Sequence, residues 1–313
     1  MILVVNLNLT VDRTMQIPEL LPGNVVRATR TDLQAGGKGV NVARVLRALG
    51  EQYLVLGFVA GRTGEYIDAR LGGEGINRSL VTMPGESRTS VILVESGIGR
   101  QTVINEYGPE VPPDSLDQFL NLFADRIASA SFIILTGSIP PGAGEDIYSR
   151  LIELANRAGK RALLDAAGEQ LKHGVSAGPT IVKPNQYEAA ALCNCRIDST
   201  EKALASCRQI ISDQAGNHPE IAAITLGKAG MVIASASEAY LLKPPVVDAH
   251  NAVGAGDSTA AGLAAGMIRG LGLPEAARLG VACGAASAMH GFGRVSIEEV
   301  ERLQKQVEVT RLD

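Results

Sequence analysis

The chain has 313 residues, of which 46% are hydrophobic and 20% charged, and its net charge is −4. This composition excludes global disorder, and the slight acidic excess gives no basis for binding nucleic acid, which needs clustered Lys and Arg. No apolar stretch is long enough for a membrane-spanning helix, and the N-terminus lacks the basic region of a secretory signal. Four cysteines in a chain of this length do not indicate a disulfide framework, so we expect a cytoplasmic protein without a membrane partner.

The first predicted elements are short strands around one amphipathic helix. Ile2–Leu9 is an apolar, β-branched run typical of a strand, and Tyr53–Val59 is a second one. Val40–Leu49 places its apolar residues on one helical face, and Gly50 ends it. Tyr66–Leu71 is predicted helical, and residues 18–30 irregular.

The segment after residue 87 has the pattern of a hairpin. Two runs rich in β-formers, Ser90–Glu95 and Gln101–Asn105, flank the sequence Ser-Gly-Ile-Gly. Together with residues 10–30, the segment 87–105 is expected to form a small β lid that projects from the main body.

From residue 114 onward, predicted helices alternate with apolar strands. The helical windows are Leu116–Ala128, Glu145–Arg157 and Thr200–Gln214, and the strands are Phe132–Leu135, Arg161–Asp165, Thr180–Val182 and Ile221–Thr225. A late hairpin and three helices follow: Met231–Ala234 with Ala239–Leu242, then Ala255–Gly270, Pro274–His290 and Ser296–Val307. This alternation favours one α/β domain over residues 1–313, with a mostly parallel sheet covered by helices on both faces.

The strongest local signal is N-A-V-G-A-G-D-S at residues 251–258, which opens a helix rich in small residues. Such a helix start directs several backbone N–H groups and the positive end of the helix dipole at one point. Gly254 and Gly256 allow a phosphate to approach closely, and the Asp257 carboxylate is suited to take a proton from an attacking hydroxyl. From this segment alone, an ordinary aspartate in a first helical turn is an equally good interpretation.

A second glycine segment, A-G-G-K-G-V-N at residues 35–41, also leads into a helix. It permits close backbone approach, while Lys38 offers a positive charge and Asn41 an amide. Taken alone, a glycine turn with a solvated lysine is the slightly favoured interpretation.

A third segment joins Lys183-Pro184-Asn185 to Glu188 at a predicted helix start. Asn185 and Glu188 are three residues apart and can face the same polar site. Oxygen ligands of this kind suit a Mg²⁺ ion that keeps most of its water. Taken alone, a capping box explains the same spacing and is the favoured interpretation.

Other phosphate and metal motifs are missing from the sequence. No Gly-Lys pair continues to Ser or Thr, so there is no Walker A loop. The segment Gly254–Gly256 is not completed as a dinucleotide fingerprint, and the spacing of Cys and His argues against zinc.

In combination, the three segments resemble the signatures of the PfkB/ribokinase-like carbohydrate kinases. Residues 36–41 and 253–257 are similar to that family's two signatures, and residues 183–188 to its magnesium-associated motif. T-G-S-I-P-P-G at 136–142 and T-L-G-K-A-G at 225–230 are similar to two further motifs. One departure is Ala252, where the family usually has Thr, Ser or Pro. The resemblance covers nearly the whole chain and implies a ribokinase-like three-layer α/β/α fold with a small β lid.

Within the family, the chain is most similar to the hexose-phosphate branch, whose members phosphorylate fructose 1-phosphate, fructose 6-phosphate or tagatose 6-phosphate. The segments behind this similarity are Val11-Asp12, Gly36–Leu46, Gly85–Thr89 and Asn105–Pro109. Arg88 distinguishes the branch best, because it places a cation where a sugar phosphate would lie. A kinase of an unphosphorylated sugar or nucleoside and a non-catalytic sugar-phosphate sensor remain as alternatives.

The resemblance also implies residue roles. Asp257 would be the catalytic base, and the N–H groups of Gly254, Ala255 and Gly256 would stabilise the transferred phosphoryl group. Mg²⁺ would be held by Asn185 and Glu188, with ATP as co-substrate and a monovalent cation as an open possibility. The sugar phosphate would contact Asp12, Arg27, Gly36, Gly37, Lys38, Asn41, Arg88 and Ser138. The nucleotide would lie along Lys183, Asn185, Thr225, Gly227, Gly230, Gly254, Gly256, Cys283 and Ser287. Family members often pair through the lid, which implies a homodimer.

Overall fold

A computed structural model describes residues 1–212, 217–249 and 251–313. The strands are β1 (Ile2–Asn8), β2 (Thr10–Ile17), β3 (Arg30–Gly36), β4 (Tyr53–Ala60), β5 (Arg78–Met83), β6 (Arg88–Glu95), β7 (Arg100–Asn105), β8 (Phe132–Thr136), β9 (Ala162–Asp165), β10 (Ile181–Val182), β11 (Ile221–Thr225), β12 (Met231–Ser235), β13 (Ala239–Lys243) and β14 (Glu308–Leu312). The helices are α1 (Lys38–Ala48), α2 (Gly61–Gly73), α3 (Pro113–Ile127), α4 (Ile147–Arg157), α5 (Gly168–Ser176), α6 (Gln186–Leu192), α7 (Thr200–Ser212), α8 (Ala255–Ile268), α9 (Leu273–His290) and α10 (Ile297–Gln304).

A ten-stranded sheet forms the centre of the molecule, in the order β14-β13-β12-β11-β10-β9-β8-β1-β4-β5. Every neighbouring pair from β11 to β5 is parallel, whereas β12, β13 and β14 extend one end in antiparallel pairing. The predicted mostly parallel sheet is therefore confirmed.

Two hydrophobic clusters cover the two faces of this sheet. Along β1, Ile2 and Val4 face the cluster that contains α1, α8 and α9, while Leu3, Val5 and Leu7 face the cluster that contains α3 and α4. Strand side chains alternate between faces, so a run that is apolar at every position is buried on both sides. This arrangement confirms the predicted α/β/α layers.

A second, four-stranded sheet has the order β3-β2-β6-β7. The predicted hairpin corresponds to β6 and β7, which pair in antiparallel fashion from Ser90↔Asn105 to Glu95↔Arg100. Strand β2 pairs with β3 in antiparallel and with β6 in parallel fashion. We call these four strands the lid sheet; its closure over a substrate stays a prediction, as does the single-domain boundary at 1–313.

Several elements differ from the sequence-based expectation. The lid sheet includes β3, which extends beyond the expected segment 10–30, and β5, α5 and β14 were not predicted. The last helix ends at Gln304 rather than at Val307, because the chain then turns into an edge strand paired with β13. The end of the predicted window Thr200–Gln214 lies outside the described residues. Across the described ranges, no helix is both long and apolar enough to cross a bilayer.

Candidate active site

Polar residues lie at the carboxyl ends of four adjacent parallel strands. Asn6 and Asn8 are on β1, Ser138 follows β8, Asp165 ends β9, and Lys183 follows β10. The carboxyl ends of parallel strands meet at one edge of the sheet, which is where ligands bind in open α/β folds. We therefore take this edge as the candidate active site.

An ion cluster centred on the buried Asp165 lies at this edge. Asp165 contacts two lysines: Oδ1 is 3.2 Å from Nζ of Lys38, and Oδ2 is 3.3 Å from Nζ of Lys183. Burial of the Asp165 carboxyl favours its neutral form, but the two ammonium groups outweigh this and lower its pKa. The cluster therefore brings two positive charges to the edge of the sheet for one negative charge.

The first glycine segment is fastened to β1. Gly37 precedes α1 with φ at 116°, and the Gly39 N–H donates a 2.6 Å hydrogen bond to Oδ1 of Asn6. A Cβ on Gly37 would lie 2.7 Å from the same oxygen, so this position requires glycine for both conformation and space. The close contact fixes the start of α1, and with it Lys38 and Asn41.

The second glycine segment places Asp257 against Asn41. Gly254, with φ at 86°, precedes α8, and Asp257 lies in the first turn with 6% of its surface exposed. Nδ2 of Asn41 donates a 2.9 Å hydrogen bond to Oδ2 of Asp257. The Ala255 N–H donates to the Ala252 carbonyl at 3.1 Å, so in this conformation it takes part in the turn. A Cβ on Gly256 would lie 3.7 Å from Nζ of Lys183, which places that ammonium group beside the helix start.

Two charged side chains at the site have shifted proton affinities. Burial raises the pKa of Asp257, and the Asp165 carboxylate adds to the rise, while Lys38 opposes it. Burial alone would lower the pKa of Lys38, but the carboxylates of Asp165, Asp257 and Glu188 raise it above the usual value. Asp257 is thus a buried carboxylate with increased basicity beside a lysine that stays charged.

Asp12, at the start of the lid sheet, faces the same region. Burial raises its pKa to about 6, the charges of Arg88 and Arg44 oppose the rise, and Asp257 adds to it. Arg88 is half-buried on β6, and its Nε donates to the Asn8 carbonyl at 3.2 Å. The lid sheet thus contributes both a carboxyl group and a guanidinium group to the site.

Gly36 is packed against Asp12, which gives a first test. A Cβ at residue 36 would lie 2.0 Å from Oδ2 of Asp12, so Gly36→Ala must displace that carboxylate. We expect a loss of about 1–3 kcal/mol in the free energy of unfolding, typical of overpacking, together with weaker substrate binding. Gly73→Ala is the control, because no atom lies within 4 Å of its added Cβ. Equal denaturation midpoints and equal KM values in both variants would contradict the packing of Gly36 against Asp12.

Asn185 and Glu188 form a capping box at the start of α6. Oδ1 of Asn185 accepts from the N–H groups of Tyr187 and Glu188 at 2.8 and 3.0 Å, and Oε2 of Glu188 accepts from the Asn185 N–H at 2.8 Å. Glu188 is half-buried and close enough to raise the pKa of Lys38. Its second carboxylate oxygen takes no part in the capping box. The helix cap is therefore present and leaves that oxygen for another ligand.

The remaining predicted residues are spread more widely. Thr225 ends β11, and Gly227 begins an exposed 3-10 turn that ends before Gly230. A Cβ on Gly230 would lie 1.9 Å from the Leu242 carbonyl oxygen, so this glycine is required by the β12–β13 hairpin. Arg27 is exposed in the segment between β2 and β3.

Cys283 and Ser287 lie on α9 and are both 0% exposed. Burial raises the pKa of the Cys283 thiol to about 12. In this conformation neither side chain offers surface to a nucleotide, so we place them behind the site as packing between α8 and α9.

Four residues of the site were not singled out from the sequence: Asn6, Asn8, Asp165 and Arg44. Asp165 anchors both lysines, and its signal in the sequence was a carboxylate as the last residue of an apolar strand. Arg44 is buried and donates through Nη1 to Oδ1 of Asn41 and to the Phe292 carbonyl, both at 3.3 Å. An arginine on the second turn of a buried helix was the only indication of this role.

Comparison with known proteins identifies the family of the chain. The family model described as pfkB family carbohydrate kinase matches residues 2–298. The 1-phosphofructokinase of Bacillus subtilis is 32% identical over 313 residues, which is 100% of both chains. The tagatose-6-phosphate kinase of Staphylococcus epidermidis is 30% identical over 312 residues, which is 99% of both chains. The tetrameric inhibited form of phosphofructokinase-2 from Escherichia coli superimposes with a TM-score of 0.89 at 25% identity, covering 97% of this chain and 98% of that one. The chain belongs to the PfkB family of carbohydrate kinases.

Proposed function

We propose that this protein transfers the γ-phosphoryl group of ATP to a hydroxyl of a ketohexose phosphate. The observation that carries the proposal is the buried Asp257, held by Asn41 at the start of α8 beside Lys38. Relatives named 1-phosphofructokinase and tagatose-6-phosphate kinase, at 30–32% identity over the whole chain, support this class of substrate. The substrate is thus fructose 1-phosphate, fructose 6-phosphate or tagatose 6-phosphate.

In the proposed mechanism, Asp257 takes the proton of the acceptor hydroxyl as its oxygen bonds to the γ-phosphorus. The bond from that phosphorus to the bridging oxygen breaks at the same time, and ADP leaves. Lys183 lies beside the start of α8, where it can neutralise charge on the transferred group together with the N–H groups of Gly254 and Gly256. The Ala255 N–H must exchange its bond to the Ala252 carbonyl before it can join them.

The lid sheet and α1 provide the proposed sugar phosphate site. Asp12, Asn41, Gly36, Gly37 and Ser138 would bind the sugar hydroxyl groups, and Arg88, Lys38 and Arg27 its phosphate. Of the three cations, Arg88 is best placed, because Arg27 is exposed and Lys38 is paired with Asp165, whereas Arg88 is half-buried beside Asp12. Closure of the lid sheet would exclude water, which otherwise competes as phosphoryl acceptor.

Mg²⁺ is expected with ATP in this family, and the residues present suit it in a limited way. Among the described residues, no group of three or more His, Cys, Asp or Glu could hold a metal ion. Mg²⁺ often uses only one or two protein carboxylates, the rest of its shell being water and substrate phosphate. The second oxygen of Glu188 provides one such ligand, with Asn185 fixing the position of that side chain. When bound, the ion would neutralise charge on the nucleotide phosphates.

The raised pKa of Asp12 predicts a pH-dependent substrate affinity. Asp12 accepts hydrogen bonds from sugar hydroxyls on both oxygens only when ionised, and its pKa is about 6 in the folded protein. The apparent affinity should therefore rise as the pH increases from 5 to 7, measured as 1/KM. The sugar phosphate also ionises near pH 6, so Asp12→Asn is measured in parallel. Between pH 5 and 7, the dependence of 1/KM on pH should include the loss of one more proton in the wild type than in Asp12→Asn. Identical slopes of log(1/KM) against pH in the two proteins would show that Asp12 does not govern binding.

An ADP-release assay over a panel of substrates tests the proposed function. The panel contains the three ketohexose phosphates, their unphosphorylated sugars and a set of nucleosides. We expect turnover with at least one ketohexose phosphate and kcat/KM at least ~10²-fold lower for the unphosphorylated sugar, since a charged contact is lost. Efficient turnover of an unphosphorylated sugar or a nucleoside would instead identify the protein as a kinase of that class of substrate. Binding without ADP formation across the panel would indicate a non-catalytic sensor.

The lid sheet also has exposed apolar residues that suit a homodimer. Leu33 on β3 and Ile104 on β7 are 39% and 56% exposed, and the strand pairing places both on the same face of the lid sheet. Pairing of two lid sheets would cover these side chains, and light scattering should then give twice the mass of the chain. Introducing a charge with Ile104→Lys should reduce that mass to one chain. We place the protein in the cytoplasm, where ATP and sugar phosphates are available.

A further inference from the structure

A cavity of about 560 Å³ lies outside the candidate active site, between the ends of α1 and α2 and the segment that leads into α10. Its charged lining residues are Arg44, Arg47, Arg70, Arg294 and Glu74. Four guanidinium groups thus face one carboxylate. The volume lies within the range of about 300–1,000 Å³ that is typical of small-molecule sites.

The single carboxylate is committed to the innermost arginine. Nε and Nη2 of Arg44 donate to the two oxygens of Glu74 at 2.8 and 3.0 Å. Although burial favours the neutral acid, Arg44, Arg294 and Arg47 together lower the pKa of Glu74. Glu74 is therefore ionised and neutralises only one of the four positive charges.

The other three arginines meet neutral acceptors or solvent. Nη1 of Arg47 donates to the backbone carbonyl of Glu74, and Nη2 of Arg294 donates to Oε1 of Gln34 at 2.9 Å. Arg47, Arg70 and Arg294 are all exposed at the cavity rim. Within the described ranges, none of the three forms an ion pair with a carboxylate. The cavity thus retains three positive charges that the one carboxylate of its lining does not neutralise.

We propose that this cavity binds a compact anion with two or more negative charges, of the phosphate or phosphate ester type. Guanidinium groups present pairs of N–H donors that match phosphate oxygens, and several of them converging in one concave site favour such a ligand over isolated chloride. An ordinary solvated face would spread its arginines over a convex surface instead. The proposal does not depend on which sugar the enzyme phosphorylates.

The cavity is connected to the candidate active site through its floor. Arg44 is buried, with 4% of its side chain exposed, and its Nη1 reaches Oδ1 of Asn41 at 3.3 Å. Asn41 in turn donates to Asp257 at 2.9 Å. Arg44 therefore lies two hydrogen bonds from the proposed base, between the cavity and the candidate active site.

Calorimetric titration with inorganic pyrophosphate, without Mg²⁺, tests the proposal. The variant Arg47→Ala/Arg70→Ala removes two rim charges, and the control Arg126→Ala/Arg208→Ala removes two exposed arginines from α3 and α7. We expect the wild type and the control to bind alike and the cavity variant to bind roughly ten-fold more weakly or worse, because charged hydrogen bonds are lost. Equal affinity in all three proteins would overturn the proposal, since it would place the anion in the active site. Absence of binding to the wild type at millimolar pyrophosphate would overturn it as well.

Three further measurements make the result specific. Arg70→Ala alone is titrated as a milder variant, because it removes one exposed side chain, and thermal unfolding verifies that each variant is folded. Parallel titrations with inorganic phosphate and with glycerol phosphate determine whether the free anion or the ester binds more tightly. Either order supports the site, whereas titrations unaffected by the rim variant would exclude it.

Discussion

Replacing Asp257 with asparagine is expected to lower kcat by ~10²–10⁴-fold, the range typical of a lost general base. Asparagine has the same shape and still offers an oxygen to Nδ2 of Asn41, which now bonds Oδ2 of Asp257 at 2.9 Å. The substitution therefore removes the proton acceptor without emptying the site. Since burial disfavours the charged form of Asp257, the neutral side chain should leave thermal stability unchanged or slightly higher.

The measurements are steady-state turnover, nucleotide affinity and the unfolding midpoint. Asp125→Asn, on the exposed face of α3, is the charge-matched control and should behave as the wild type. Turnover near the wild-type rate would reject Asp257 as the base. A parallel loss of nucleotide affinity and stability would instead assign this residue a structural role.

Replacing Arg88 with alanine is expected to raise KM for the sugar phosphate by ~10–100-fold, as the loss of a charge-assisted hydrogen bond worth about 1.5–3 kcal/mol predicts. Arg88 is half-buried, and burial lowers its pKa. The positive charge of Arg88 also lowers the pKa of Asp12, so that pKa should be higher in the variant. The assay is therefore run at pH 8, where Asp12 stays ionised in the absence of Arg88. The value of kcat should change less than KM, because Arg88 is proposed to bind the phosphate that does not react.

The matched control for Arg88 comes from the same sheet. Arg13 follows Asp12 on β2 and is exposed, so it projects from the opposite face of the strand. Arg13→Ala should leave KM unchanged. If Arg88→Ala alters KM equally for the sugar phosphate and for the unphosphorylated sugar, Arg88 does not read the phosphate and the branch assignment loses its main support.

The regular part of the fold could be predicted because the hydrophobic pattern of the sequence there matches the burial of each residue in the structure. Phe132–Thr136 and Ile221–Thr225 are apolar at nearly every position, which is what a parallel strand covered on both faces requires. The long helices α8 and α9 were also predicted to within about two residues of their ends.

The missed elements carry weaker local signals. Strand β3 reads R-T-D-L-Q-A-G, a largely polar run that becomes a strand only because β2 lies beside it. Strand β14 is exposed along most of its length and is held by pairing with β13. In both cases the partner strand, distant in sequence, decides the structure.

In the candidate site too, residues with a local sequence signal could be predicted, whereas residues fixed by distant partners could not. The glycine segments could be found because several glycines precede a predicted helix in each, and the structure shows that Gly37 and Gly254 have conformations that few other residues adopt. Asp165 and Arg44 act through partners more than a hundred residues away, such as Lys38 for Asp165 and Phe292 for Arg44. Such pairings arise only when the strand ends and α1 meet, so no local spacing reveals them.

A crystal structure of the Asp257→Asn variant with ATP and the preferred ketohexose phosphate would test the central claim most directly. We expect the acceptor hydroxyl within hydrogen-bond distance of the side chain at residue 257, with the γ-phosphate against the first turn of α8. A reacting hydroxyl that lies beyond reach of residue 257, or a γ-phosphate bound away from Gly254 and Gly256, would contradict it.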